Sequence, residues 1–228
     1  MLGIIFYKII VPMNEIIFLV HIFLVLGFLL LALRLGKQGL FVFICIQAIL
    51  ANVFVIKEIC LFGLQVTASD VFSVGTLLGL NALQEYFGKN ETKKAFYLTV
   101  FCMIFFVIMS KVHLWYRPSM FDNSQGAFDK VLSMTPRIFL SSMGISLLIQ
   151  LIDLYLYGFF KRHLGFFGRM GSALLISEFL DTFLFTFIGL YHVVERPWQV
   201  ICFSFFIKCV VIFCASFFML GIRRYAKV

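Results

Sequence analysis

The feature that most constrains this chain is a series of long apolar runs, each about as long as a helix that crosses a lipid bilayer. A spanning α-helix takes about 20 mostly apolar residues. Such runs occur at 14–33, 40–61, 67–87, 95–115, 137–159, 172–192 and 199–221. Because the bilayer core offers no water to backbone groups, these runs predict helices that satisfy their own hydrogen bonds. We therefore predict an all-α, polytopic membrane helix bundle with about seven transmembrane helices.

The run at 67–87 is the most polar of the seven. It carries Asp70, Ser73, Asn81 and Glu85 among its apolar residues. Irregular or polar backbone at membrane depth is tolerated only where it faces protein or a watery cavity. The alternative architecture is therefore six full spans plus one irregular segment at 67–87.

The composition agrees with a lipid environment rather than with a water-soluble globule. Hydrophobic residues make up 62% of the 228 residues and charged residues only 13%, whereas a soluble domain is about one quarter charged. The net charge of +8 does not indicate nucleic acid, because the basic residues stand in short groups between the apolar runs. That placement is typical of membrane topology. We expect the lipid bilayer as a partner and no direct contact with nucleic acid.

The same basic groups predict an orientation. With seven spans, one side of the membrane holds eleven basic residues: Arg34, Lys37, Lys89, Lys93, Lys94, Lys161, Arg162, Arg169, Arg223, Arg224 and Lys227. The other side holds six: Lys8, Lys111, Arg117, Lys130, Arg137 and Arg196. Cytoplasmic loops carry the excess of Lys and Arg. We therefore expect the N-terminus outside, the C-terminus in the cytoplasm, and the polar loop at about 116–135 outside.

Several enzyme classes lack their motifs in this sequence. It contains no Walker A loop, no dinucleotide fingerprint, no H-E-x-x-H and no G-x-S-x-G. The four His and six Cys show no spacing typical of metal ligands. We therefore expect no catalytic residues, no metal and no cofactor, and no ATP hydrolysis by this chain itself.

Polar residues inside the apolar runs predict a site. An ionisable side chain at the bilayer centre costs about 2.5–3.5 kcal/mol on insertion scales and usually faces a partner or a substrate path. Gln150 and Asp153 are three residues apart, as are Glu178 and Asp181, so each pair lies on one helix face. Successive spans run antiparallel, so the two pairs can meet near one cavity, as repeats do in secondary transporters. The alternative is that such groups only join helices by hydrogen bonds.

Six segments resemble the queuosine precursor transporter family, the vitamin uptake transporter group. They are A-N-V-F-V-I-K (51–57), L-L-G-L-N-A-L-Q-E-Y-F-G-K (77–89), P-R-I-F-L-S-S (136–142), Q-L-I-D (150–153), R-x-x-S (169–172) and L-D-T-F-L-F (180–185). Their order and spacing match over about 45–221. The resemblance implies a single integral membrane domain over 1–228, with an additional N-terminal helix at 1–36 and the family core at 40–221.

Membership would imply a multi-pass importer of the bacterial inner (plasma) membrane. Its small-molecule, purine-like substrate would be a 7-deazaguanine base such as preQ0, preQ1 or queuine, salvaged for tRNA modification. The candidate substrate-binding residues are Asn52, Asn81, Glu85, Arg137, Gln150, Asp153, Arg169, Ser172, Glu178 and Asp181, with Lys208 as a charge partner of the acids. The chain departs from the family pattern at Asn81, where many members have Asp, and at Glu178, where many have Gln. The difference at Glu178 bears on which base is preferred.

The chemistry of the substrate fits these residue types. A 7-deazaguanine presents an N1–H and an exocyclic amine beside a carbonyl, and one carboxylate can accept from both donors. Asp153, Glu178 or Asp181 could accept, while an amide or guanidinium donates to the carbonyl. The flat ring would stack on Phe or Tyr side chains.

Three other functions stay open on sequence alone. The chain could be the substrate-binding subunit of an energy-coupling-factor importer, which would need a separate ATPase module for uptake. It could be an intramembrane enzyme, although no nucleophile–base arrangement supports that. It could be a structural assembly subunit in which the acids only join helices. The preferred base, the coupling ion and the oligomeric state, a homo-oligomer included, are not given by the sequence.

Overall fold

The computed structural model describes the backbone of residues 2–62, 64–67, 69–132, 136–189 and 197–225. Side chains are described for residues 13–62, 66, 67, 69–132, 140–189, 197, 198 and 201–214. The helices are α1 (Leu2–Arg34), α2 (Gly36–Phe54), α3 (Asp70–Tyr86), α4 (Lys89–Trp115), α5 (Gln125–Leu132), α6 (Pro136–His163), α7 (Phe166–Leu184) and α8 (Pro197–Tyr225). Two strands, β1 (Glu58–Leu61) and β2 (Leu64–Thr67), form an antiparallel hairpin.

The predicted all-α membrane bundle is confirmed. Within the described residues, five helical stretches are long and apolar enough to cross a membrane: Met13–Arg34, Gly36–Phe54, Lys89–Trp115, Leu140–His163 and Phe166–Gly189. The described part of α8 adds the shorter apolar stretch Ile201–Cys214. The large apolar side chains on the outside of these helices are what lipid tails would cover.

The prediction of one helix over 40–61 is wrong at its end. Helix α2 stops at Phe54, and the chain then forms the β-hairpin. The residues around this break include Val53, Val55 and Ile56, whose branched side chains favour extended backbone over helix. Helix α1 holds the hairpin: the Asn14 amide donates to the Cys60 carbonyl at 3.0 Å, and Glu15 accepts from the Phe62 N–H at 2.7 Å.

The third run is a regular but short helix at the centre of the bundle. Helix α3 is continuous from Asp70 to Tyr86 and packs against α1, α2, α4, α6, α7 and α8. It can carry polar side chains because protein, rather than lipid, surrounds almost all of it. Gly79 allows α2 to approach: a Cβ there would lie 2.8 Å from Ile44 Cγ1. The segment 70–86 is therefore a continuous helix, but at 17 residues it is not among the stretches long enough to span a membrane, so the choice between seven spans and six spans with one atypical segment stays open.

Three of the predicted basic loops lie at one end of the bundle. Lys37, just after the α1–α2 turn, pairs with Glu91 at the start of α4 at 3.4 Å. Lys161, near the end of α6, donates to the Gln84 carbonyl near the end of α3 at 3.3 Å. The loops 34–37, 86–94 and 161–169 are therefore neighbours, and the β-hairpin lies at the opposite end.

Candidate functional site

A column of polar side chains runs through the bundle between α3, α6, α7 and α8. Helix α7 runs against α3, because Ser73 meets Glu178 at one end and Glu85 meets Arg169 at the other. Helix α6 runs in the same direction as α3, because Ser146 shares a cavity wall with Asp70 at one end and Tyr157 meets Glu85 at the other. At a rise of about 1.5 Å per residue, Asp70 and Glu85 stand about 22 Å apart along α3. The column therefore covers most of the roughly 30 Å hydrocarbon thickness of a bilayer.

The end of the column nearest the β-hairpin is an acidic group around one lysine. We call Asp70, Glu178, Asp181 and Lys208 the lysine cluster. The Lys208 ammonium lies 2.8 Å from Glu178 Oε2 and 2.7 Å from Asp181 Oδ2, but 4.0 Å from Asp70 Oδ1. Lys208 is only 3% exposed, so these attractions act in a low dielectric.

Hydroxyl groups complete the lysine cluster. Ser73 donates to the Glu178 carboxylate at 3.2 Å, and Ser204 donates to Asp70 Oδ2 at 3.1 Å. Thr67, at the end of β2, donates to Asp70 Oδ1 at 3.3 Å. The hairpin therefore helps to position an acid that begins α3.

A polar cavity opens beside the lysine cluster. The cavity has a volume of about 70 Å³, which is room for more than one water molecule. Its wall combines hydroxyls, charges and one amide from six elements: Asn52, Thr67, Ser69, Asp70, Ser73, Ser142, Ser146, Asp181, Thr182, Thr186, Ser204 and Lys208 among others. Ser142 donates to the Asn52 amide oxygen at 2.8 Å, which joins α6 to α2 at this wall.

Helix α7 changes its winding where it borders the cavity. After Leu184 it continues as a π-helical turn, Phe185–Gly189, a form often found at functional sites. Thr182 and Thr186 donate to the carbonyls four residues earlier, at 2.8 Å and 2.7 Å, and such bonds tend to bend helices. The turn sets Phe185 and Thr186 into the cavity wall.

The middle of the column, which we call the middle layer, consists of Asn81, Gln150, Asp153 and Ser177. Ser177 donates to Asp153 Oδ1 at 2.9 Å. Asp153 Oδ2, Gln150 Oε1 and both polar atoms of Asn81 are buried without a hydrogen-bond partner. Asn81 and Glu178 nevertheless lie within electrostatic reach of Asp153. Buried polar groups are normally satisfied by protein or by water, so the middle layer stands out within the described column for its unmet donors and acceptors.

The far end of the column is a network around Glu85. The Arg169 guanidinium pairs with Glu85 Oε1, and the Tyr157 hydroxyl donates to Glu85 Oε2 at 2.9 Å. Lys161 lies 3.4 Å from the same Oε2. Arg169 also lies over the Phe166 ring, 5.5 Å from its centroid. These contacts, which we call the Glu85 network, tie α3, α6 and α7 together at the end with the basic loops.

The predicted site residues therefore separate into three groups. Glu178, Asp181 and Lys208 lie in the lysine cluster, with Asn52 on the adjoining cavity wall. The middle layer contains Asn81, Gln150 and Asp153, while Glu85 and Arg169 form an ion pair at the other end. Ser172 is partly buried on α7 and belongs to none of these groups. The side chain of Arg137 lies outside the described residues.

Sequence reasoning missed Asp70 as a site residue, although it noted a charge there, and also missed the hydroxyl partners. Ser73, Ser177, Ser204 and Tyr157 each donate to one of the buried acids. Single hydroxyls are common in membrane helices, so they carry little signal alone. Each of these four hydroxyls donates to an acid on a different helix, so spacing along the sequence gave no sign of the pairing.

A helical membrane bundle with an enclosed column of polar and charged groups has the architecture of a membrane transporter. Comparison with known proteins gives the family. The sequence profile of the family described as "Putative vitamin uptake transporter" matches residues 67–222. The chain belongs to this family. It is also 31% identical over 163 residues to the "Probable queuosine precursor transporter" of Bacillus subtilis (strain 168), covering 68% of this chain and 71% of that protein.

No solved structure matches the chain. The family profile begins at Thr67, so it includes α3, α4, α6, α7 and α8 and with them nearly all of the polar column. Helix α1, α2 and strand β1 precede it. The proposed division into an additional helix at 1–36 and a core at 40–221 stays a prediction.

Proposed function

We propose that the chain imports a queuosine precursor, a 7-deazaguanine base, across the bacterial inner membrane for tRNA modification. The observation that carries the proposal is the middle layer, where Asp153 Oδ2, Gln150 Oε1 and both polar atoms of the Asn81 amide are buried without hydrogen-bond partners. The similarity to a probable queuosine precursor transporter supplies the substrate class. A small hydrogen-bonding heterocycle is the kind of ligand that satisfies such groups.

The residue types of the middle layer suit the edge of the base. A carboxylate at Asp153 would accept from the N1–H and the exocyclic amine, and an amide at Asn81 or Gln150 would donate to the neighbouring carbonyl. A base that lacks this edge would leave the buried groups unpaired and would be rejected strongly. These contacts are the basis of the proposed selectivity.

We propose that the end bearing the Glu85 network faces the cytoplasm and that the end bearing the β-hairpin faces outward. The basic loops adjoin the Glu85 network, and cytoplasmic loops carry the Lys and Arg excess. This places the N-terminus outside and the C-terminus inside. In this arrangement the Glu85 network closes the inner end, so release of the base inward requires its contacts to separate.

Two further possibilities differ from this proposal in what they predict. A substrate-binding subunit of an energy-coupling-factor importer would bind the base but would need a separate ATPase module for uptake. An intramembrane enzyme would convert its substrate, whereas the proposed transporter leaves the base unchanged. Uptake into proteoliposomes that contain this chain alone separates both from the proposal.

Complementation in cells tests the proposed function directly. The chain is expressed in a strain that makes no queuosine precursors and lacks its own importer, and preQ0, preQ1 and queuine are supplied separately. Queuosine in tRNA is then measured, with the Asp153→Asn variant as a binding-deficient control and Asp129→Asn, on the peripheral helix α5, as a matched neutral control. Queuosine formation with any of the three supports the proposal. No rescue by any of them, with the protein shown to be in the membrane, refutes it.

A further inference from the structure

The lysine cluster holds more negative than positive charge. It contains three carboxylates and one ammonium, so with all four groups ionised two negative charges remain. Asp70, Glu178 and Lys208 are each less than 5% exposed, so water does little to stabilise this excess. Uncompensated charge at membrane depth is costly, and proteins that retain it normally pair it with another ion or a ligand.

Of the three acids in the lysine cluster, Asp70 lies farthest from the Lys208 ammonium. Lys208 makes its two short contacts with Glu178 and Asp181, and its 4.0 Å separation from Asp70 is too long for a hydrogen bond. The direct donors to Asp70 among the described residues are the neutral hydroxyls of Thr67 and Ser204. Neutral donors hold a carboxylate in place but leave its charge uncompensated.

The excess negative charge of the lysine cluster lies next to the polar cavity. Asp70 and Asp181 both line the polar cavity, and so do the hydroxyls of Ser73, Ser142 and Ser204. The cavity adjoins the middle layer, because Ser146 lines the cavity and accepts a hydrogen bond from Gln150 of the middle layer at 3.5 Å. A ligand whose ring occupied the middle layer could therefore place a side arm beside Asp70.

We infer that Asp70 and Asp181 form a subsite for a positively charged arm of the transported base. The inference rests on the proposed function and names the substrate class within it: a 7-deazaguanine with an ammonium on its side arm rather than a neutral nitrile. The ammonium would supply the charge that Lys208 leaves unmet at Asp70. Charge-assisted hydrogen bonds of this kind are roughly twice as strong as neutral ones.

A binding comparison on the full chain in lipid nanodiscs tests the inference. The probes are 7-aminomethyl-7-deazaguanine and 7-cyano-7-deazaguanine, titrated at pH 7 by calorimetry. We expect the unsubstituted protein to bind the amine at least roughly tenfold more tightly than the nitrile. In Asp70→Asn we expect the preference to fall to about twofold or less through weaker binding of the amine, with the nitrile affinity nearly unchanged. The control Asp129→Asn, an acid outside the column, keeps the full preference.

Each result of this comparison has a definite meaning. Equal affinities for the two bases overturn the inference but leave the proposed function intact. Equal weakening of both bases in Asp70→Asn also overturns it, because that assigns Asp70 a structural role. If neither base binds the unsubstituted protein, the inference fails, and the complementation test with queuine decides the proposed function separately. If Asp70→Asn does not fold, Asp181→Asn tests the same subsite with the same two probes, and an unchanged preference in that variant overturns the inference.

Discussion

Replacing Glu85 with Gln should destabilise the folded protein because it removes the central anion of the Glu85 network. Gln still accepts a hydrogen bond from Tyr157, but it leaves Arg169, whose side chain is 11% exposed, without an opposite charge. Removing one partner of a buried ion pair costs about 3–5 kcal/mol. We take the lower end of this range, about 3 kcal/mol, for two reasons. The Arg169 side chain keeps some contact with solvent, and Lys161, which also loses Glu85 as a partner, is more exposed than Arg169.

The thermal midpoint gives a direct measurement of this cost. For chains of 150–250 residues, 1 kcal/mol corresponds to roughly 2–4 °C, so we expect Glu85→Gln to lower the midpoint by about 6–12 °C in detergent at a fixed scan rate. Circular dichroism at 222 nm reports the loss of helix. The double variant Glu85→Gln with Arg169→Gln should recover much of the shift, because it no longer leaves a cation unpaired.

A matched substitution separates this effect from general loss of surface charge. Glu91, at the same end of the bundle, also contacts two lysines, Lys37 at 3.4 Å and Lys94 at 2.7 Å, but it lies nearer to solvent. Exposed pairs contribute little to stability, so Glu91→Gln should change the midpoint only slightly. If Glu85→Gln shifts the midpoint no more than Glu91→Gln, or if the double variant is no more stable than Glu85→Gln alone, the reasoning is wrong.

Three further substitutions probe the column and its packing. Lys208→Met should cost about 3–5 kcal/mol, because it leaves buried carboxylates without their ammonium, and adding Asp181→Asn should recover part of the thermal midpoint; no recovery would contradict the charge argument. Asp153→Asn keeps the shape of the side chain and should leave the midpoint within about 2 °C while lowering uptake of the base by about tenfold or more; undiminished uptake would make this acid purely structural. Gly79→Ala should destabilise by about 1–3 kcal/mol in thermal melts, since its Cβ would lie 2.8 Å from an Ile44 side-chain atom, whereas Gly144→Ala on α6 meets nothing within 4 Å and should not destabilise.

The bundle was predictable because the length of an apolar run can be measured directly in the sequence, without knowledge of contacts between distant residues. The runs at 95–115 and 137–159 fall inside α4 and α6, and each helix extends beyond its run by a few polar residues. The end of the run at 40–61 was not predictable in the same way. Lys57 and Glu58 interrupt an otherwise apolar stretch, and an apolar stretch with branched residues is compatible with either helix or strand. The contacts of Asn14 and Glu15 with the hairpin favour the strands over a longer helix, and these contacts are distant in the sequence.

The site was predictable only as a set of residues. Spacing placed Gln150 with Asp153 and Glu178 with Asp181, and the structure brings the two pairs to adjacent helices. The sequence identified Lys208 as a charge partner of the acids, but it did not indicate that the lysine contacts the second pair whereas the first remains partly unpaired. That difference depends on which helix stands opposite: α8 brings Lys208 to α7, whereas α3 brings the neutral amide of Asn81 to Asp153.

The departures of this chain from the family pattern acquire a physical meaning in the structure. An Asp at position 81 would place a second carboxylate beside Asp153, whereas Asn81 keeps the middle layer at one acid. A Gln at position 178 would remove one acid from Lys208, whereas Glu178 adds a charge 2.8 Å from it. Taken together, the two exchanges move one negative charge from the middle layer toward the lysine cluster and the cavity. A substrate whose positive charge lies on its side arm, rather than on its ring edge, is the one that this redistribution favours, which is the same selectivity that the Asp70 substitution tests.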